Sequence, residues 1–426
     1  MDTIVALATA RGRAGVAVVR VSGPMAWEVC ARIAGRVPTP RRATLCPLQD
    51  SQGDRIDEAL VLVFDEGSSF TGEKVVEFQI HGSAAVIAAL IRETLHIEGV
   101  RAAEAGEFTR RAFEAGKLSL TEVEGLADLL EAETEAQRKL AQRIFDGTAA
   151  RMLENWRDGL LQSVAMLEAS IDFSDEEIPA DLSTHVLAPL KDVHAAITQQ
   201  IAGSAASERI REGFEVAIVG AVNAGKSTLL NALAGREAAI TSERAGTTRD
   251  VIEVRMDIGG LPVTLIDTAG LRDTEDEVER IGIERGKKRA ETADLRVYLK
   301  SEPDEEVMTF RPDDIVLLSK ADLWQLPGVS GKTGQGVTEL VASIYQALSG
   351  RVAGSSMFSR ERHFDKLRKA GFHLDRAILD LETGQAGWEF VAVDVRAAIT
   401  CLDGIIGRID VEDVLGRIFE SFCIGK

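Results

Sequence analysis

Glu215-Val216-Ala217-Ile218-Val219-Gly220-Ala221-Val222-Asn223-Ala224-Gly225-Lys226-Ser227-Thr228 is the stretch that decides the architecture of the middle of this chain. A β-rich run ends at Gly220, the next residues match GxxxxGK[ST], and a helical pattern follows from Thr228 to Ala234. Strand, glycine-bearing loop and helix in that order let backbone N–H groups turn inward around phosphates. Lys226 suits the β- and γ-phosphates, and the Ser227 hydroxyl suits Mg²⁺. The alternative is a chance match in an ordinary strand-turn-helix, and the context on both sides argues against it.

Downstream residues extend the set. Asp267-Thr268-Ala269-Gly270 follows the strand Val263 to Ile266, where an Asp can hold Mg²⁺ through water and Gly270 can turn its N–H to a γ-phosphate. Gly246-Thr247-Thr248-Arg249-Asp250 lies between, with Thr248 a second Mg²⁺ candidate, and a hairpin from Val251 to Ile266 turning at Gly259-Gly260 joins the two motifs. Ser319-Lys320-Ala321-Asp322 stands where such domains read guanine with Asn-Lys-x-Asp. The Asp carboxylate accepts from the base's amine and imide, while Ser319 replaces the amide. Ser330-Gly331-Lys332 comes only a few residues later, so the intervening element is short. The reading is GTP.

The position just after Asp267-Thr268-Ala269-Gly270, often a water-orienting Gln, is Leu271, which cannot hydrogen-bond water. The nearest polar source is the acidic segment Asp273 to Glu279, and no arginine finger is assignable. A monovalent cation beside the phosphates can supply similar charge, with Asn223 offering an oxygen. Equally, Asn223 can merely brace the loop and the acids form a solvated helix start.

Working outward, three textures divide the chain. From Met1 to about Lys117 strand patterns (Val16 to Val21, Ala59 to Phe64, Lys74 to Ile80) alternate with helical ones. At Ser119 the pattern turns helical, with Thr121 to Glu124 read as a capping box and Leu153, Trp156, Leu160, Val164, Leu167 and Ile171 forming one buried stripe. From Glu215 to about Leu348 strands and helices alternate as in a doubly wound sheet. Helices return beyond Gly350 to Ser356. The expected fold class is α/β and α, with an α/β domain over 1–118, a helical bundle over 119–210 and 351–426, and an inserted, doubly wound, Ras-like domain over 211–350.

Composition narrows the class. With 426 residues the chain exceeds one ordinary core, and 45% hydrophobic with 27% charged residues is globular. No apolar run approaches the roughly 18–20 residues that span a bilayer, so no membrane role is expected. Four cysteines, none paired as CxxC, make no disulfide framework, and a cytoplasmic location is the expectation. The net charge of −19 argues against broad adhesion to polyanions. It is uneven: Thr121 to Asp181 holds 15 acids against 5 bases, while Arg360 to Arg376 holds Arg360, Arg362, Lys366, Arg368, Lys369 and Arg376 against three acids. A contact with a polyanion belongs on this second stretch, if anywhere; the plainer reading is a solvated helix face.

Further marks span the chain: Gly15 to Gly23 (GVAVVRVSG), Thr71-Gly72-Glu73, Ala105 to Phe113 (AGEFTRRAF), Ile171-Asp172-Phe173, Glu176 to Pro179, and the ending Phe422-Cys423-Ile424-Gly425-Lys426. Together with the phosphate loop they resemble the tRNA-modification GTPase MnmE (TrmE) family over essentially the whole length. The resemblance implies an N-terminal domain that forms a homodimer and binds 5-formyl- or methylene-tetrahydrofolate through Arg20, Glu77, Lys117 and Lys426. It implies GTP contacts at Asn223, Ala224, Gly225, Lys226, Ser227 and Thr228, at Ser242, Glu243, Arg244, Ala245, Gly246, Thr247 and Thr248, at Asp267, Thr268, Ala269 and Gly270, and at Lys320, Asp322, Ser330, Gly331 and Lys332. Potassium ligands map to Asn223, Ser242, Arg244 and Thr247, magnesium ligands to Ser227 and Thr248, and the water-orienting catalytic residue to Glu279. The implied partners are the flavoprotein MnmG, with FAD and NADH, in a heterotetramer or larger complex, and tRNA. The pair would add an aminomethyl or carboxymethylaminomethyl group to the wobble uridine. The alternatives are an RNA or ribosome-assembly GTPase switch without modification chemistry, and a scaffold with a decayed nucleotide site.

Overall fold

The computed structural model describes residues 2–172, 182–221, 223–236, 238–240, 253–267, 289–306, 311–384, 387–409, 415–416, 418–419, 422 and 425. Their contacts form two compact units, Met1–Ala127 with Asp403–Lys426, and Asp128–Leu402.

The first unit is built on a six-stranded sheet in the order β3-β4-β5-β2-β1-β6. Its strands are β1 (Thr3–Leu7), β2 (Ala14–Ser22), β3 (Thr44–Gln49), β4 (Arg55–Phe64), β5 (Val75–Gly82) and β6 (Val100–Ala102). All pairings are antiparallel except β1 with β6. Alternation does what period-two sequence demands. Val76, Phe78 and Ile80 of β5 point into a core completed by Val29, Cys30 and Ile33 of α1 (Ala26–Ala34) and by Leu90 of α2 (Ala84–Leu95). On the other face, Phe108 of α3 (Glu107–Glu114) covers Ile4 and Ala6. Helix α4 (Leu120–Glu131) gives Leu120 and Val123 to a cluster with Ile418, Phe419 and Phe422. Its capping box lies two residues before the sequence reading. Ser119 N donates to Glu122 Oε2 at 2.6 Å and Glu122 N to Ser119 Oγ at 3.3 Å, while Thr121 and Glu124 are buried. Ser-x-x-Glu and Thr-x-x-Glu overlap here, and burial decides between them.

The second unit opens with α5 (Glu135–Phe145), α6 (Thr148–Asp172), α7 (Leu182–Ala202) and α8 (Ser204–Glu212). A five-stranded sheet follows, ordered β11-β10-β7-β9-β8. Its strands are β7 (Phe214–Gly220), β8 (Glu253–Ile258), β9 (Leu261–Asp267), β10 (Leu295–Lys300) and β11 (Ile315–Leu318), with only β8 antiparallel. Val216, Ile218, Leu265 and Val297 pack with Leu229 and Leu233 of α9 (Lys226–Ala234) and with Leu340 and Ile344 of α11 (Val337–Ser349). The short α10 (Ala321–Trp324) lies between them in sequence. Two long helices close the unit, α12 (Glu361–Thr383) and α13 (Trp388–Ile406), and α12 packs on α7. The chain enters and leaves the sheet region side by side: Ser207 Oγ donates to Ser356 O at 3.1 Å and Arg211 Nε to Ser359 O at 3.0 Å. Leu153, Leu160, Val164 and Leu167 of α6 are buried as the sequence spacing dictates, whereas Trp156 and Ile171 of the same expected stripe are only half-buried. No helix among the described residues is long and apolar enough to cross a membrane.

Candidate nucleotide site

Strands β7, β9 and β11 run parallel and end at Gly220, Asp267 and Leu318, so their carboxyl ends place three loops together, where open α/β sheets hold ligands. Between β7 and α9 the backbone turns sharply. Gly225 has φ 87°, and Asn223, the side chain best suited to that region after glycine, has φ 61°. The amino end of α9 therefore faces the loop with unsatisfied N–H groups, an anion site by construction.

Lys226 Nζ donates to Gly220 O at 2.7 Å and Ala221 O at 2.8 Å, which curls the side chain back over the loop. Burial pushes its pKa down from the ordinary value, against the pull of Asp267. A phosphate supplies the anionic partner that this buried ammonium favours. Ser227 Oγ donates to Asp267 Oδ2 at 2.6 Å. One hydroxyl and one carboxylate beside a phosphate loop fit Mg²⁺, which takes few protein ligands and completes its shell with water and phosphate oxygens.

The base side is a cavity of about 290 Å³ lined by Gly225, Thr228, Leu229, Ser319, Lys320, Asp322, Leu323, Val329, Ser330, Gly331 and Lys332. Ser319 Oγ donates to Ala224 O, so the residue that replaces the expected amide ties the base loop to the phosphate loop. The short element after Asp322 is one bridge, Ser319 to Val329, with Val329 N donating to Leu318 O at 2.8 Å. The following loop braces itself through Ser330 N to Gln335 O and Gly334 N to Ser330 O, both 2.9 Å. Asn223, Ala224 and Gly225 lie in the phosphate loop, Lys226, Ser227 and Thr228 start α9, Asp267 ends β9, Lys320 and Asp322 follow β11, and Ser330, Gly331 and Lys332 form the loop after the Val329 bridge. Leu229, Leu323 and Val329 line the cavity without having been anticipated; apolar residues flanking the two base motifs were the available signal. Ser242 to Thr248, Thr268 to Gly270 and Glu279 lie outside the described residues.

In the first unit, Arg20 and Glu77 are register partners and pair at 2.8 Å, both largely buried, with the Arg20 guanidinium 5.7 Å from the Phe108 ring centroid. Lys117 Nζ donates to Gly67 O at 2.6 Å, and among the ion pairs of the described residues Glu77 is joined by Arg20 and not by Lys117. Gly425 approaches Leu7, which follows Ala6, the partner of Arg20 across β1 and β2. Lys426 and Cys423 lie outside the described residues.

Comparison with known proteins places this geometry. The family model described as "MnmE helical domain" matches residues 120–423, and the one described as "GTP-binding protein TrmE N-terminus" matches residues 3–117. The tRNA modification GTPase MnmE of Roseobacter denitrificans is 52% identical over 430 residues, and that of Ruegeria pomeroyi is 53% identical over 430, each covering 100% of both chains. That of Parvibaculum lavamentivorans is 48% identical over 443 residues with the same coverage. Matches of this length set aside a ribosome-assembly switch and a scaffold. The chain belongs to the MnmE family of tRNA modification GTPases.

Proposed function

We propose that this GTPase is activated by potassium and works with a flavoprotein partner, MnmG, to modify the C5 position of the wobble uridine of tRNA in the cytoplasm. The observation that carries the reading is the Lys226–Ser227–Asp267 constellation next to a base cavity tied to the same loop through Ser319. In hydrolysis, water attacks the γ-phosphorus, the bond to the β–γ bridging oxygen breaks, and GDP and phosphate leave. Lys226 neutralises charge on the phosphates and Asp322 reads the base, while Ser227 and Asp267, with Thr248, would hold a magnesium ion that would neutralise charge on the leaving phosphates. Asn223, held in the left-handed region at the loop, would offer a potassium ion its side-chain oxygen, with Ser242, Arg244 and Thr247 as further ligands, and the ion would supply charge beside the phosphates. Glu279 orients the water.

The tetrahydrofolate supplies the one-carbon unit. The Arg20–Glu77 pair offers it a cation and a carboxylate, and Phe108 a neighbouring ring, with Lys117 and Lys426 as further cations. Homodimerisation is supported by the sheet face opposite α1 and α2. There Leu45 and Leu60 are adjacent in register and both exposed, as is Val16. The test is steady-state GTP hydrolysis in KCl against NaCl, with ATP as control and Glu279→Ala and Asn223→Ala alongside. Potassium stimulation of at least tenfold that both variants abolish is the expected result. Equal rates in the two salts remove the potassium role.

A further inference from the structure

Phe372 and Phe390 are 59% and 64% exposed, and Leu379 and Val393 of the same two helices are exposed with them, while Phe364, Leu367, Leu374 and Leu402 are buried. Two bare phenyl rings on one surface ask for a partner. On α12, Lys366, Lys369, His373 and Arg376 recur at spacings of three and four, so they form one strip, with Phe372 beside it. On α13, Phe390, Asp394 and Cys401 share a side by the same rule. Contacts join these two sides: His373 Nδ1 lies 2.8 Å from Asp394 Oδ1, and Arg376 Nη2 lies 3.5 Å from Asp394 Oδ2.

The seam is cationic despite the chain's net charge of −19. Asp394 is buried and satisfied by His373 and Arg376, Asp365 is taken by Arg368, and Asp380 lies one turn beyond Arg376 at the far end of the strip from the two lysines. Among the described residues, Lys366 and Lys369 take part in no ion pair. We propose that the α12–α13 seam is a tRNA contact surface, with Lys366 and Lys369 on phosphates and Phe372 and Phe390 as stacking platforms for unpaired bases. Cations interleaved with exposed rings are the means by which proteins hold single-stranded loops of RNA. The exposed apolar side chains would suit a protein as well, but lysine is depleted at protein interfaces, and the two lysines without an ion pair favour RNA. The inference rests on the membership in a tRNA-modifying family and adds where the RNA is gripped.

The experiment measures binding of a labelled, unmodified tRNA transcript to the full chain by fluorescence anisotropy across a KCl series. Lys366→Glu/Lys369→Glu is expected to weaken binding by about tenfold and to lower the slope of log K against log salt by about two. Phe372→Ala/Phe390→Ala is expected to weaken it by about tenfold with the slope kept. Lys366→Arg/Lys369→Arg restores affinity, Arg138→Glu/Lys139→Glu on α5 controls for total charge, and GTP hydrolysis without tRNA stays at the wild-type rate in all of them. Unchanged tRNA affinity in both seam variants overturns the proposal, as does a wild-type chain that fails to bind tRNA. Loss of association with a flavoprotein partner while tRNA affinity persists overturns it in favour of a protein interface. Modification activity of the wild-type pair reports separately on the reading beneath it.

Discussion

Ser319 does structural work that its residue type conceals. Its hydroxyl has one proton, and that proton goes to Ala224 O, inside the phosphate loop. Ser319 is buried, and its own N–H donates to Lys300 O at 2.9 Å, so the side chain is fixed from two directions. Ser319→Ala leaves the Ala224 carbonyl without this donor, and a buried carbonyl deprived of a partner costs about 1–3 kcal/mol. The expected outcome is GTP and GDP binding weakened by about tenfold, read by titration with a fluorescent nucleotide, with Ser319→Asn retaining at least wild-type affinity because its amide can donate to the same carbonyl. Equal affinity in Ser319→Ala would mean that the phosphate loop keeps its shape without the tie. The sequence shows that the amide is missing. It does not show the tie, because the two residues it joins are far apart in the chain.

Hairpins and helix stripes were legible because they rest on local periods and turn chemistry. Gly259 and Gly260 have φ 62° and 88°, the two positive values that a two-residue turn between β8 and β9 requires. What rests on that turn was not legible, since it comes from elsewhere in the chain: Ala136 N at the start of α5 donates to Gly260 O at 3.0 Å, and Tyr345 of α11 lies over Gly259. A Cβ at Gly259 would sit 2.6 Å from Tyr345 Cδ2. That ring is partly exposed and can swing aside, so backbone strain is the larger penalty. Gly259→Ala should lose about 1–2 kcal/mol, the cost of left-handed backbone with a Cβ. Gly259→Asn, whose side chain tolerates that region, should lose clearly less. Thermal unfolding of the two variants checks the ranking; equal losses would assign the cost to the clash with Tyr345.

At the scale of the whole molecule, the three textures of the sequence follow local pattern, whereas the end of the chain follows tertiary contact. Residues 403–426 read as a continuation of the helical body, but they pack with residues 1–127. Ile418, Phe419 and Phe422 cluster with Leu120 and Val123, and Phe419 lies so close to Gly106 that a Cβ there would be 2.7 Å away. No period in either segment announces this, because each half of the cluster is short and the pairing spans most of the sequence. Burying each of the three tail side chains is worth about 1.5–3 kcal/mol, so removing residues 415–426 should cost the first unit on the order of 5 kcal/mol. The nucleotide site uses none of those residues, since its described side chains lie between Asn223 and Lys332 of the second unit. Calorimetry of the truncated chain should therefore show the transition of the first unit moved to lower temperature or lost. Its affinity for fluorescent GDP should stay within about twofold of the full chain, as sites without shared contacts behave independently. A truncation that weakens GDP binding as much as it lowers the melting transition would show that the tail serves both units, and that their stabilities are not separable.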